Sequence, residues 1–305
     1  MNTPEIFQRT IGWIGVGKMG NPMATRLIEA GRAVTICDPL VDNRASLVAR
    51  GAKVAATPGE LADHCGIVFS TIPNDVVLNE LIFGTDGAGD FVQRLAKGSV
   101  FVEMSTVSPE VSGRVAAYLE QYGISYLRCP VSGSTALART GKLTVLGSGQ
   151  MGAWEVVAPL LDEMAARKFY LGSGEEARYM KLVLNALVGA TSAILGEALV
   201  LGEKGGLTPK EMMEVISQSA VASPLLNYKQ DMIAQMDFTP AFSVRQMMKD
   251  FAIISDTARD QQVPMFVVNL ILQQYTAAAN AGYSELDFFA LFDWMRSSSG
   301  LTVAE

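Results

Sequence analysis

The chain has 305 residues, enough for two domains, and its 49% hydrophobic and 18% charged residues are typical of a compact folded protein. Its net charge of −7 comes without any run of basic side chains, so nucleic acid is not an expected partner. The three cysteines are widely spaced, which predicts reduced thiols in a cytoplasmic protein, with neither a disulfide framework nor a metal site.

The N-terminal region predicts a dinucleotide-binding turn. Residues 1–5 lack the basic and apolar parts of a signal peptide. A short buried strand, residues 11–14, then runs into a glycine-rich turn that opens a helix, with the sequence Gly15, Val16, Gly17, Lys18, Met19, Gly20. In that setting the first glycine allows the tight turn, the second lets the backbone approach a pyrophosphate, and the third lets the helix pack on the strand. A glycine-rich turn without a ligand is the alternative.

A second predicted strand, residues 33–37, ends at Asp38. A carboxylate at this place in a dinucleotide-binding fold bonds the hydroxyls of the adenosine ribose. It would repel a ribose 2′-phosphate, so NAD is the expected cofactor. Arg44 follows in the next helix and keeps NADP as the less expected alternative.

Strand and helix patterns then alternate, which predicts an α/β Rossmann domain with a doubly wound, mostly parallel sheet over residues 1–172. Further strands are predicted at residues 66–72, 100–106, 124–127, 143–146 and 169–171. Ligands of such sheets lie beyond the carboxyl ends of strands, so two strand ends are candidate cofactor contacts: Ile72, Pro73, Ser105 and Thr106. The single histidine, His64, lies at the predicted end of a surface helix, so a histidine base or metal ligand is not expected.

A loop of small, hydrogen-bonding residues follows one of the later strands. Ser132, Gly133 and Ser134 are suited to pointing N–H groups and hydroxyls at an anion such as a substrate carboxylate. An ordinary turn of this composition is the alternative.

Residues 173–305 predict an all-α domain that begins with a long helix reaching about Lys204. No charged side chain occurs from Leu182 to Gly196, so Lys181 leads directly into an apolar run. Asn185 lies one helical turn further on and on the same face. We interpret Lys181 as a proton-transfer group, the alternative being a lysine that snorkels from the end of a buried helix. The run is shorter than the roughly 20 apolar residues of a membrane span, so no membrane is expected.

Four stretches together resemble the β-hydroxyacid dehydrogenases, the family that includes 3-hydroxyisobutyrate dehydrogenases and tartronate semialdehyde reductases. They are residues 15–24, 130–133, 180–185 and the pair Lys249-Asp250. The resemblance implies a Rossmann domain, a long interdomain helix and a helical domain through which a homodimer or homotetramer forms. It also implies that Lys181 is catalytic, that Ser132, Gly133 and Asn185 hold the substrate, and that Ile72, Pro73, Thr106 and Lys249 contact the cofactor.

The chain departs from the family pattern near the implied substrate site. Arg128-Cys129 stands where Asp-Ala is common, Ser134 replaces a glycine, and Glu-Glu-Ala at residues 175–177 alters the glycine-rich lead into the lysine helix. These changes leave the implied reaction in place and leave the substrate open.

The function expected from the sequence is reversible hydride transfer between a nicotinamide and a small anionic 3-hydroxy acid. Two alternatives are an imine reductase-like enzyme and a non-catalytic dinucleotide-binding protein. Lys181 argues against both, because imine reductases of this resemblance usually lack that lysine and a binding protein has no need of it.

Overall fold

The computed structural model describes residues 10–84 and 90–301, so the ends of the predicted domains, residues 1–9 and 302–305, lie outside it. The chain groups into two compact units, one ending at Lys181 and the other beginning at Leu182. This division falls inside the long helix that the sequence placed at the start of the second domain.

The described residues of the first unit form a nine-stranded sheet in the order β3-β2-β1-β4-β5-β6-β8-β7, with β9 paired to β8. The pairs from β3 across to β6 are parallel, and β8 pairs antiparallel with β6 and β7 but parallel with β9. The strands are β1 Thr10–Ile14, β2 Val34–Cys37, β3 Lys53–Val54, β4 Cys65–Ser70, β5 Val100–Glu103, β6 Ser125–Arg128, β7 Val131–Ser132, β8 Leu143–Gly149 and β9 Ala165–Gly172.

Helices cover both faces of this sheet, which is why its central strands are apolar in succession rather than in alternation. In β4, Ile67 and Phe69 pack in one core cluster with Trp13, whereas Val68 packs in another with Phe101. The helices are α1 Gly20–Glu29, α2 Val41–Val48, α3 Pro58–Ala62, α4 Asp75–Phe83, α5 Asp90–Arg94, α6 Pro109–Gln121, α7 Thr135–Arg139 and α8 Met151–Leu161.

Long helix α9, Glu176–Lys204, starts in the first unit and continues into the second. Its length and mean hydropathy of 1.7 over an 18-residue window would suffice to cross a membrane, and 39% of that window is buried in the protein. A core helix of a soluble protein passes the same test, so the expected absence of a membrane stays a prediction.

The described residues of the second unit are helical and surround a core that includes Met213, Phe251, Tyr275 and Phe292. After α9 come α10 Pro209–Ser217, α11 Pro224–Ala234, α12 Val244–Asp260, α13 Phe266–Ala278, a π-helical turn at Ala279–Tyr283, a 3₁₀ turn at Phe288–Ala290 and α14 Leu291–Ser298. The predicted fold class, a mostly parallel sheet with flanking helices followed by a helical region, is confirmed.

Candidate active site

The glycine-rich turn between β1 and α1 has the geometry that a dinucleotide pyrophosphate requires. Gly15 has φ of 80°, and a Cβ there would lie 2.3 Å from the Thr71 carbonyl oxygen. A Cβ on Gly20 would lie 2.1 Å from the Gly15 carbonyl oxygen. By contrast, a Cβ on Gly17 would meet one atom within range, Asn43 Nδ2 at 4.0 Å. Gly15 and Gly20 therefore shape the turn, and Gly17 leaves its backbone open to a ligand.

The start of α1 is suited to an anion. Met19 occupies the position before the helix, and its side chain accepts no capping hydrogen bond from the first turn. The Asn21 N–H is already bonded to the Gly17 carbonyl oxygen at 2.9 Å, and Pro22 has no N–H, so the helix favours an anion here mainly through the positive end of its dipole. A cavity of about 550 Å³ opens beside the turn and is lined by Val16, Gly17 and Lys18 together with parts of α1, α2 and α7.

Asp38 lies at the end of β2 and is held by the loops around it. Its Oδ2 accepts the Val16 N–H at 2.8 Å, and its Oδ1 accepts the Leu40 N–H at 2.8 Å and the Asn43 Nδ2 at 3.1 Å. A carboxylate has about four acceptor positions, so one remains for a ribose hydroxyl. The three donors are neutral, which leaves the negative charge of Asp38 uncompensated by them and unfavourable for a 2′-phosphate.

The loops after β4 and β5 lie together, as the sequence predicts for Ile72 and Ser105. The Ile72 N–H donates to Ser105 Oγ at 2.7 Å. β5 ends at Glu103 rather than continuing to Thr106, because the Ser105 N–H turns back to Glu103 Oε1 at 2.8 Å. Pro73 and Thr106 follow Ile72 and Ser105 directly, so all four predicted contacts are at the carboxyl edge of the sheet.

Thr71 joins this edge to the glycine turn, a role that no pattern in the sequence indicates. Its Oγ1 donates to the Gly15 carbonyl oxygen and accepts the Trp13 Nε1–H at 2.9 Å. A threonine at the end of a buried strand is common in many folds, so no signal singled it out.

The predicted substrate loop starts with the two-residue strand β7. Gly133 has φ of 137°, and a Cβ there would lie 2.8 Å from Leu143 Cδ2, so only glycine fits. Ser132 is half-buried beside it. Ser134 has a local structural role, since its hydroxyl caps α7 by accepting the Leu137 N–H at 3.4 Å. Its contact with substrate stays a prediction.

Lys181 and Asn185 lie one turn apart on α9, as predicted. Lys181 is half-buried, and Asn185 is 7% exposed. Asn185 Nδ2 donates to Asp250, whose other oxygen lies 2.9 Å from Lys249 Nζ. Asp250 thereby fixes the orientation of the Asn185 amide. The amide oxygen is left as the group that can accept a hydrogen bond from a ligand. The sequence placed Asp250 only as the neighbour of Lys249 and assigned it no role.

Profiles of known families match nearly the whole described chain. One, for the NAD binding domain of 6-phosphogluconate dehydrogenase, matches residues 10–172, and another, described as NAD-binding of NADP-dependent 3-hydroxyisobutyrate dehydrogenase, matches residues 173–295. The chain belongs to the β-hydroxyacid dehydrogenase family. The family resemblance predicted from the four stretches is confirmed, and the protein is an NAD(P)-dependent oxidoreductase that acts on CH–OH groups.

Individual relatives within this family are distant in sequence but similar over their length. The chain is 30% identical to the chloroplastic glyoxylate/succinic semialdehyde reductase 2 of Arabidopsis thaliana, over 96% of this chain and 81% of the relative. It is also 30% identical to 2-(hydroxymethyl)glutarate dehydrogenase of Eubacterium barkeri, over 96% and 97%. A crystal structure of 3-hydroxyisobutyrate dehydrogenase from Salmonella typhimurium superposes with a TM-score of 0.85 at 27% identity, covering 94% of this chain and 99% of that one.

Two departures from the β-hydroxyacid dehydrogenase pattern are partners in the structure. Arg128 Nε donates to Glu175 Oε1 at 2.8 Å, and the guanidinium lies 4.6 Å from the centroid of the Tyr126 ring. Arg128 is 6% exposed and Cys129 is fully buried, where burial raises the pKa of its thiol. Arg128 and Cys129 therefore belong to the packed interior of the first unit rather than to an exposed surface.

A second buried arginine, Arg178, lies three residues before Lys181 on α9 and was missed from the sequence. It pairs with Glu103, and it donates to the Ser105 carbonyl oxygen at 2.7 Å, the Tyr126 hydroxyl at 3.0 Å and Ser112 Oγ at 3.2 Å. Burial acts to lower the pKa of the Arg178 guanidinium, but Glu103 and Tyr126 raise it above its ordinary value, so it stays charged. The signal available was a charged residue one turn before the lysine, close to the start of the charge-free run at residues 182–196.

Proposed function

We propose that this protein is a 3-hydroxyacid dehydrogenase in which Lys181 is the general acid and base. The observation that carries the proposal is the placement of Lys181. It lies three residues beyond Arg178, which donates to the main chain of Ser105 in a predicted cofactor loop. It also lies one turn before Asn185, whose amide is oriented by Asp250. A lysine that only snorkels from the end of a buried helix would need neither the contact of Arg178 with Ser105 nor the contact of Asn185 with Asp250.

Each predicted residue then has a separate task in the oxidation of a hydroxy acid. Ser132 and the backbone of Gly133 hold the substrate carboxylate and so orient the carbinol carbon, and such orientation accounts for a large part of catalysis. A nicotinamide cofactor held by the glycine turn and the loops after β4 and β5 would supply the acceptor for the hydride of that carbon. Lys181 Nζ takes the hydroxyl proton as the carbonyl forms, and returns it in the reduction. The Asn185 amide oxygen accepts a hydrogen bond from the substrate hydroxyl or from Lys181, because its Nδ2 is already bonded to Asp250.

The substitution Lys181→Met tests this assignment. It removes the proton-transfer group but keeps the length and apolar stem of the side chain, so turnover is expected to fall by at least about 10²-fold. The affinity for NADH should stay close to that of the wild type. Lys210→Met, which alters an exposed lysine at the start of α10, is the matched control and should keep full turnover. Near-normal turnover by the Lys181→Met protein would refute the role of Lys181.

The substrate is a small anionic 3-hydroxy acid, and its identity is best found with a panel. Relatives of the chain are named for 3-hydroxyisobutyrate, 2-(hydroxymethyl)glutarate and semialdehyde or glyoxylate chemistry, so these acids and aldehydes define the panel. NADH binding with no turnover across the panel would favour the non-catalytic alternative.

The cofactor is proposed to be NAD, supported by the carboxylate of Asp38 at the end of β2, whose three hydrogen-bond donors are all neutral. One matching family profile is described for an NADP-dependent enzyme, so both cofactors must be assayed in parallel. A higher kcat/KM with NADP than with NAD would refute the preference.

A homodimer or homotetramer through the helical unit is proposed, supported by an exposed apolar stripe on α9. Leu187, Ile194 and Leu201 recur every seven residues on one helix face and are 63%, 63% and 76% exposed. A second copy of the same helix offers a matching surface that carries no charge over most of this length. Sedimentation velocity should show an oligomer that the double substitution Leu187→Glu and Ile194→Glu dissociates, and a monomeric wild type at micromolar concentration would contradict it.

The cytoplasm is the proposed location, because the three cysteines, all buried, are present as free thiols. Fractionation of cells that express the tagged protein tests this, and recovery in an organelle or membrane fraction would refute it.

A further inference from the structure

We infer that Arg178 is a positioning residue, which fixes the first turn of α9, and with it Lys181, against the loops that carry the predicted cofactor contacts. The inference rests on the proposed function, since it concerns the placement of the proposed proton-transfer group. Arg178 is 1% exposed, and its side chain donates hydrogen bonds to Glu103, Ser105, Ser112 and Tyr126.

The link to the cofactor loops runs through Ser105. Its carbonyl oxygen accepts from Arg178 Nη1 at 2.7 Å, and its hydroxyl accepts from the Ile72 N–H at 2.7 Å. Its own N–H is bound by Glu103, the same residue that pairs with Arg178. Moving the guanidinium would therefore release the Ser105 carbonyl oxygen in the loop after β5, and Ser105 is the residue that holds the Ile72 N–H in the loop after β4.

The link to Lys181 runs along the helix. Residues three apart lie on neighbouring parts of one helix face, about 4.5 Å apart along the axis at 1.5 Å per residue. A fixed Arg178 therefore prevents the first turn from rotating or sliding. Two further contacts hold the same end of the helix, since Ser148 Oγ donates to the Gly174 carbonyl oxygen at 2.8 Å and accepts the Ala177 N–H at 3.2 Å.

Stability alone is a weak account of this ion pair. Replacing a buried ion pair by apolar groups of similar volume is often neutral for folding, so such a pair adds little net stability. It does define a single geometry, because the guanidinium is planar and its donors point in fixed directions. Fixed geometry is what proton transfer requires, since a misplacement of about 1 Å can lower a rate 10²-fold.

The double substitution Glu103→Gln and Arg178→Met tests the inference without leaving a buried charge unpaired. The glutamine keeps an oxygen that can accept the Ser105 N–H, so the loop after β5 retains that contact. We expect a folded protein that binds NADH and whose kcat is lower by at least about 10-fold. The single substitution Arg178→Lys keeps the charge but loses the planar fork, and should give an intermediate kcat with KM near the wild-type value.

The matched control is a second buried ion pair, Lys229 with Asp287, in the other unit. Its atoms lie 2.7 Å apart, and both side chains are almost fully buried. The double substitution Lys229→Met and Asp287→Asn should leave kcat per folded protein unchanged, whatever its effect on Tm. A purely structural role for Arg178 predicts the same result for both pairs.

The outcomes separate this inference from the proposed function. A folded Glu103→Gln and Arg178→Met protein with wild-type kcat overturns the inference, and so does an equal loss of kcat in the control pair. If that protein does not fold, Arg178→Lys decides, and wild-type kcat overturns the inference. If Lys181→Met keeps its turnover, the proposed function fails instead. If Lys181→Met is inactive and the Arg178 proteins are not impaired, only the inference fails.

Discussion

Gly17→Ala gives the sharpest test of the cofactor site, because the structure separates its effect on binding from its effect on folding. Gly17 is not among the glycines with positive φ, and an added Cβ would lie 4.0 Å from the nearest side-chain atom, Asn43 Nδ2. The folded chain therefore accommodates alanine without strain. At such a position the change is expected to stabilise by about 0.4–1 kcal/mol, because alanine restricts the unfolded chain.

The same methyl group would occupy the space that a pyrophosphate needs. Hydrogen bonds from backbone N–H groups to a charged acceptor contribute about 1.5–3 kcal/mol each. Losing even one such bond raises Kd at least about 10-fold, since each 1.4 kcal/mol is a factor of ten. Gly17→Ala should therefore have an unchanged or higher Tm and clearly weaker NADH binding.

Gly15→Ala is expected to act mainly on folding, in contrast to Gly17→Ala, which is expected to act mainly on cofactor binding. The φ of 80° at Gly15 costs a residue with a Cβ roughly 1–2 kcal/mol, and that Cβ would come within 2.3 Å of the Thr71 carbonyl oxygen. Its main effect should be a lower Tm. Gly152→Ala is the control, because a Cβ at that position in α8 meets no atom within 4 Å and lies away from the turn.

The assays are titration calorimetry with NADH and thermal unfolding followed by circular dichroism, on the same four proteins. Wild-type NADH affinity in Gly17→Ala would refute the placement of the pyrophosphate on this turn. A large fall in the Tm of Gly17→Ala would refute the inference that the folded chain has room for a Cβ at Gly17.

Three further predictions concern charged groups. Asp250→Asn removes the charge that orients Asn185, so kcat/KM should fall about tenfold with little change in Tm; an unchanged kcat/KM would contradict this. Asp38→Asn removes repulsion that Coulomb's law puts at about 1–4 kcal/mol at 4 Å, so the ratio of kcat/KM for NAD to that for NADP should fall about tenfold or more, and an unchanged ratio would count against the ribose contact. Lys229→Met leaves Asp287 charged and unpaired in the core, so the free energy of unfolding measured with urea should fall by about 3–5 kcal/mol. A fall below about 1 kcal/mol would show that the ion pair does not stabilise the fold.

The parts of the fold that could be predicted from the sequence are those that depend on neighbours in the chain. The glycine spacing from Gly15 to Gly20 reports the backbone angles and close approaches of a single turn. The apolar runs report strands that are covered on both faces. The ends of the strands could not be predicted, because a strand stops where a side chain such as Glu103 accepts a main-chain N–H, and no local pattern records that.

Burial of charge explains why the rest of the site was not predicted. Arg128 and Glu175 are each unusual for the family. From the sequence alone, each suggests a change in which substrate the enzyme accepts. They are partners, and an arginine on a buried strand must find an acidic partner because an unpaired buried charge is strongly unfavourable. Two departures that compensate each other carry less information about substrate than two independent ones would. The substrate of this enzyme is therefore better sought through Ser132, Gly133 and Asn185, which the departures leave in place.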